Sequence, residues 1–289
     1  MICSKILLKG LVLAMLLALS LPVTAQTWCT KENQDLCQSY LNAFSQAGLS
    51  ASPIDIVAME VGKKFMGTPY VAKTLEIEGD EKLVVNLSGL DCTTFLENVI
   101  VFSRLIKQNR LNFDAFQEEL EKVRYRNEQQ GAYPSRLHYF TDWIYHNTQK
   151  GIIQDVTQTC GGKPYIKPIN FMSTHTTAYR QLSDSVFVRE IKKVEKEISS
   201  RNYFYIPKAE IAQREGNIKS GDLIAITTSI AGLDIVHVGF AIKQNGRTHL
   251  FHASTGSMKV EISEKPLSDY LAANKSQSGI MVCRLVEPN

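Results

Sequence analysis

The chain has 289 residues, 44% of them hydrophobic and 21% charged, with a formal net charge of +3. That composition is globular, with neither a low-complexity tract nor an internal repeat. So small a charge supplies no strong field for nucleic acid or an acidic membrane surface.

In chain order, residues 1–25 read as a secretory signal peptide. Lys5 and Lys9 form a positive start, Gly10–Leu21 an apolar run, and the small residues ending at Ala25 a cleavage site. The run falls short of the ~20 residues a membrane span needs, and Cys3 lies too early for a lipid-anchoring cysteine. The expected product is exported, periplasmic or extracellular: a monomer, not inserted in the membrane, of one domain over 26–289. Cleavage leaves 264 residues, a charge of +1 and five cysteines: Cys29, Cys37, Cys92, Cys160 and Cys283. Export permits disulfides, and an odd count leaves at least one thiol over. Cys29 and Cys37 can close a short loop. Cys160 and Cys283 pair only if the fold brings them together, in which case Cys92 is the odd thiol.

Ser52–Gly67 has helical apolar spacing and stops at glycine before "GTPY". Glu81–Leu87 is a short β-prone run. Thr93–Gln108 predicts an amphipathic helix with Phe95, Val99, Phe102 and Ile106 on one side. Further helices are predicted over Asn112–Asn127 and Ser135–Lys150, and the mixed-sign stretch Arg189–Arg201 reads as a solvated helix face. The character then changes. Gly221–Ser229, Asp234–Lys243, Thr248–Ser254, Met258–Ser263 and Gly279–Val286 are β-type runs separated by Gly, Asn and Ser. Helices first and an antiparallel sheet afterwards predict an α+β fold.

Cys92 follows a Gly-Leu-Asp turn at the start of the helix over 93–108. It is either a small packing residue or a thiol whose pKa the helix N-terminus lowers. A nucleophilic thiol needs a base, and His237 interrupts the apolar run "IVHVGFAI", as either a satisfied core histidine or a catalytic one. Asn245-Gly246 is a strong hairpin signal. With those two residues as the loop, paired positions sum to 491, so His237 lies opposite Ser254 and His252 opposite Gly239. His237 and His252 then share a face as diagonal neighbours, while His249 pairs with Ile242 on the other face. That gives a base and an orienting group for a thiol. A zinc site on His249 and His252 fits poorly, because residues three apart on a strand face opposite ways. No metal or organic cofactor is expected.

In the order "GTPY", "LDCTTF", "GDLIAI", "HVGFAI", "LFHAS", the chain resembles the NlpC-type cell-wall cysteine peptidases and amidases. The resemblance implies a papain-like core, a nucleophile helix packed on an antiparallel sheet, here with a large helical insertion at about 105–213. It implies Cys92 as nucleophile, His237 as base, His252 as the residue orienting it and Tyr70 as a neighbour of the oxyanion, with the Cys92 N–H a second donor. Thr93-Thr94 replaces the usual Ser-Gly, "VAKTLE" follows Tyr70 in place of Trp-Gly-Gly, and 145 residues separate Cys92 from His237.

The long form, with "SRLHYFTDWI" in the insertion, is similar to the N-acetylmuramoyl-L-alanine amidase-like branch over about Ile54 to Val286. That branch implies cleavage between the muramyl lactyl group and L-Ala in soluble, including anhydro, muropeptides. The alternative enzyme is a γ-D-Glu–diaminopimelate endopeptidase, and the alternative class a wall-binding module without turnover. Helical spacing would cluster Arg136, Tyr139 and Trp143, with His138 beside them, as substrate-binding candidates: Arg136 for a carboxylate and an aromatic for a sugar. The other reading places Tyr139 and Trp143 in the core. The polar loop Asn170–His175 is a further candidate to line the cleft.

Overall fold

The computed structural model describes residues 26–288; the expected signal peptide lies outside the described residues. Helices α1 (Lys31–Gln46) and α2 (Ile54–Lys64) come first, after a short strand β1 (Thr27–Cys29) that pairs in parallel with β2 (Leu83–Val85). Helix α3 (Cys92–Gln108) follows, and it is buried on nearly every side from Thr94 to Ile106. The single-sided stripe expected for it is therefore too narrow: other elements enclose the helix, and its buried surface includes polar side chains such as Glu97 and Arg104. Helices α4 (Phe113–Arg124) and α5 (Phe140–Gln149) come next, the former packed against α3.

The remaining strands are β3 (Ile153–Asp155), β4 (Lys163–Tyr165), β5 (Tyr203–Pro207), β6 (Leu223–Thr228), β7 (Ile235–Gln244), β8 (Arg247–Ser254), β9 (Lys259–Pro266) and β10 (Gln277–Leu285). They form one eight-stranded sheet in the order β4-β5-β10-β6-β7-β8-β9, with β3 also paired to β10. Every pairing in it is antiparallel. The fold is thus mixed α+β, as expected. The stretch expected as a helical insertion is not purely helical, because it also supplies β3, β4 and β5. It holds a long amphipathic helix as well, α6 (Ser185–Ser200), whose mixed charges face outward as expected except for Glu195, which is buried.

Two local features place the site. Asn245 and Gly246 both have positive φ, 50° and 78°, the pattern of a type I′ hairpin. The β7–β8 register follows, with Gln244 opposite Arg247, Ile242 opposite His249 and Phe240 opposite Phe251. Phe95 of α3 packs edge-on against Phe240, with centroids 6.0 Å apart, and lies 5.2 Å from Phe251. The head of α3 is thereby pinned on the β7–β8 hairpin.

The helix expected over Ser135–Lys150 begins only at Phe140. Pro134 sits in a single 3₁₀ turn over Tyr133–Ser135, and Arg136 leaves helical geometry to bridge Tyr125 as a short antiparallel pair. Helical spacing therefore does not relate Arg136 to Tyr139 and Trp143.

Candidate active site

Cys92 occupies the first position of α3. Asp91 caps the helix: its carboxylate accepts the Thr94 N–H at 2.8 Å, while the Thr94 hydroxyl accepts the Asp91 N–H at 2.9 Å. This reciprocal box fixes the entry of the chain into the helix and explains threonine three residues after the aspartate. The Cys92 N–H, at the helix start, has no intrahelical partner. The residue is half-buried, and its sulfur faces the Val238 N–H and the hydroxyl and N–H of Thr93.

His237 and His252 meet as the register requires. His237 Nε2 lies 2.6 Å from His252 Nδ1, with the rings 88° apart. Gly239 makes this possible. A Cβ there would lie 2.7 Å from the Phe251 carbonyl oxygen and 2.9 Å from His252 Cβ, so the glycine of "HVG" is the space that the second histidine fills. His249 turns to the other face, its Nδ1 at 2.8 Å from the Ser263 carbonyl oxygen.

Tyr70 is held from two sides. Its N–H donates to the Met258 carbonyl at 2.9 Å, and the Val71 N–H donates to Leu90 at 3.0 Å. Burial first, then the neighbouring Cys92 and Asp91, push the Tyr70 phenol up to about 12, so it stays a donor at neutral pH. Tyr270, on helix α7 (Leu267–Ala272), was not picked out by any motif. Its ring stands edge-on to His252, centroids 5.5 Å apart, and it is close enough to Cys92 for a thiolate there to raise its pKa. His252 Nε2 is buried without a hydrogen-bond partner.

The protonation states differ from the sequence-based expectation. Burial, and then the Asp91 charge, push the Cys92 thiol up to about 12 against the pull of the surrounding N–H groups. Burial lowers His237 to about 4, and burial with His237 beside it lowers His252 to about 3. Desolvation outweighs the helix terminus. The resting pair is neutral thiol and neutral imidazole, not the thiolate–imidazolium pair that a lowered thiol pKa implies.

A cleft of about 740 Å³ opens beside the start of α3, bordered by Asp91, Thr93, Arg136, His138 and residues 177–180. Two of the four substrate-binding candidates reach it. Arg136 borders it but is paired with Glu76 at 2.6 Å and Glu81 at 3.4 Å. His138 borders it with its Nε2 at 2.8 Å from the Tyr133 carbonyl oxygen, and burial holds it well below the usual histidine range. Tyr139 and Trp143 do not reach it. The Tyr139 hydroxyl donates to Glu195 at 2.7 Å and accepts the Met172 N–H. Trp143 is fully buried and donates to Glu97 at 3.2 Å. Both belong to the core, and neither presents a face to a sugar. Within Asn170–His175, Met172 is packed in the core as well. The five cysteines among the described residues are free thiols, although Cys29 lies close enough to Cys37, and Cys160 to Cys283, to raise the neighbour's pKa.

The model of the AmiA-like family, described as N-acetylmuramoyl-L-alanine amidase-like, matches residues 60–280. No curated protein matches the chain. Among solved structures, an N-acetylmuramoyl-L-alanine amidase from Bacteroides uniformis is 38% identical, with a TM-score of 0.77 over 80% of this chain and 98% of that one. A Bacteroides fragilis protein provisionally described as a xylanase is 36% identical, with a TM-score of 0.75 over 78% and 99%. A Legionella pneumophila protein shares the fold at 21% identity, with a TM-score of 0.65 over 88% and 95%.

Proposed function

This chain belongs to the AmiA-like, N-acetylmuramoyl-L-alanine amidase-like family, and from that premise we propose a cysteine amidase that cuts soluble, including anhydro, muropeptides between the lactyl group and L-Ala. The observation that carries the reading is that Cys92, at the head of α3, faces the Val238 N–H of β7, one residue beyond His237, whose Nε2 lies 2.6 Å from His252 Nδ1. The packing of α3 on β7 and β8 is read as an NlpC-type, papain-like core. An exported location fits a cell-wall substrate.

The steps follow from the protonation states. His237 uses Nε2 toward His252, so Nδ1 is the nitrogen left to take the thiol proton. The Cys92 sulfur attacks the lactyl carbonyl carbon as its proton passes to His237. The oxyanion that forms takes hydrogen bonds from the Cys92 N–H and the Tyr70 hydroxyl. His237 returns the proton to the L-Ala nitrogen, the C–N bond breaks, and the peptide leaves with a free amine. A water then attacks the thioester, giving its proton to His237, and the lactyl carboxylate departs as the thiol is restored. His252 holds the imidazole in the required tautomer.

The xylanase description of one neighbour does not carry over well. Glycoside hydrolysis takes two carboxyl groups flanking the bond. The cleft carboxylates here are each committed: Asp91 to the α3 cap, Glu97 to Arg124 and Trp143, and Glu76 to Arg136.

Product masses test the proposal. Disaccharide-peptides with and without an anhydro end, incubated with wild type and Cys92→Ala, should yield intact stem peptide and peptide-free sugar with wild type only. Truncated peptide still joined to sugar would instead identify the γ-D-Glu–diaminopimelate endopeptidase. The pH dependence is a second test. Protonation of His237 removes the base, so kcat/KM should hold as pH falls through 6.5 and drop only near pH 4, where the buried imidazole titrates. An acid limb at 6.5 would mean that the base is not the buried neutral histidine described above.

A further inference from the structure

Of the four cationic side chains bordering the cleft, three are already engaged. Arg124 pairs with Glu97 at 2.8 Å, and Arg136 pairs with Glu76 and Glu81. Arg180 pairs with Glu78 at 3.3 Å and donates to the Ile77 carbonyl. The fourth is Lys73, which is exposed and has no hydrogen-bond or ion-pair partner among the described residues. It is also held in an unusual backbone conformation. Its φ is 61°, in the left-handed region that disfavours side chains with a Cβ, and its carbonyl closes a turn by accepting the Glu76 N–H at 3.0 Å. The chain is anchored as far as Val71 by the same bonds that fix Tyr70, so Lys73 stands at the first free turn beyond the nucleophile's neighbour. A strained, unpaired cation at the mouth of a cleft is placed to bind something outside the chain.

We infer that Lys73 is a specificity-determining residue that binds the free α-carboxylate of the second stem-peptide residue. The inference deepens the amidase reading and rests on it. In a muropeptide the scissile nitrogen belongs to L-Ala, and the next residue, D-Glu, is joined through its side-chain carboxyl. Its α-carboxylate is therefore the first free anion beyond the cut. With the lactyl carbonyl at Cys92, the peptide runs into the cleft past Thr93, and that carboxylate meets the one ammonium left uncommitted there. The role that spacing assigned to Arg136 passes to Lys73, because Arg136 is neutralised by its two glutamates.

The test uses two substrates differing in one group: 1,6-anhydro-N-acetylmuramoyl-L-Ala-γ-D-Glu-diaminopimelate, in which the D-Glu side-chain carboxyl is tied up in the next peptide bond, and the same compound with the D-Glu α-carboxylate converted to carboxamide. Wild type should favour the carboxylate by about tenfold in kcat/KM, the size of one partly exposed charge-assisted contact. Lys73→Met should lose about that factor through KM on the carboxylate and less than about twofold on the carboxamide, and Lys73→Arg should restore most of it. Lys73→Gly removes the same ammonium while relieving the positive φ. It should fold at least as well as wild type by thermal unfolding and share the kinetic defect, which separates binding from folding. Equal losses on both substrates, or no preference by wild type, would overturn the inference. Cleavage of neither compound by wild type would overturn the amidase reading and this inference with it.

Discussion

Cys92→Ala should lower kcat/KM by at least about 10⁴-fold, and His237→Ala by a comparable factor, while the double variant falls no more than about tenfold below either alone. The reason is that attack and proton transfer are one event at this site. Burial holds the thiol near 12, so no standing thiolate waits to react, and a sulfur without its base is almost inert at neutral pH. A base without its sulfur has only water to activate, and that water is not placed by the helix. The Cys92→Ala loss should not come from unfolding. Cys92 is a small, partly exposed side chain at a helix start whose cap is made by Asp91 and Thr94, so the alanine variant keeps every backbone hydrogen bond. Steady-state kinetics with a thermal midpoint for each variant checks this. Additive losses in the double variant would separate the two groups, and more than about a hundredth of wild-type activity in Cys92→Ala would remove the thiol from the chemistry.

What could be read from sequence depended on whether the deciding interactions were local. The β7–β8 hairpin was legible because two adjacent residues set its turn, and a period-2 register then places His237 and His252 on one face without tertiary information. The start of α3 was legible for a similar reason, since Asp91 and Thr94 carry their own cap. The segment around Arg136 was not. Its apolar spacing suits a helix, but a proline turn and a bridge to Tyr125, eleven positions earlier, determine its conformation. Tyr139 and Trp143 look alike as core or sugar-stacking residues until Glu195 and Glu97, distant in the chain, are seen to take their polar atoms. The direction of the Cys92 pKa was missed because a helix terminus is visible in sequence and desolvation is not. Lys73 and Tyr270 carry no motif. One is marked by a backbone angle and the other by its contact with His252.

The largest effect on stability is expected from Glu97, five residues beyond Cys92 on α3. Its carboxylate is only 2% exposed and accepts from Arg124 Nε at 2.8 Å and Trp143 Nε1 at 3.2 Å. Arg124 is 3% exposed and also donates through Nη1 to the Val84 carbonyl at 2.6 Å. Glu97→Ala leaves the buried Arg124 charge without its carboxylate, held only by the Val84 carbonyl, and the Trp143 indole N–H with no acceptor, which costs about 3–5 kcal/mol in the unfolding free energy. Glu97→Gln keeps a carbonyl oxygen for one of the two donors and should cost less than half of that. Replacing both ends of the pair, as Glu97→Leu with Arg124→Met, removes the stranded charge altogether and should recover most of the loss. Urea unfolding midpoints of the three variants test this ordering. A cost below about 1 kcal/mol for Glu97→Ala would mean that water from the neighbouring cleft reaches Arg124 and solvates it. The pair links α3 to α4, α5 and β2, so it bears on the site as well. The variant that retains the fold but loses these links is expected to show a raised KM, because the same two residues border the cleft proposed to take the peptide.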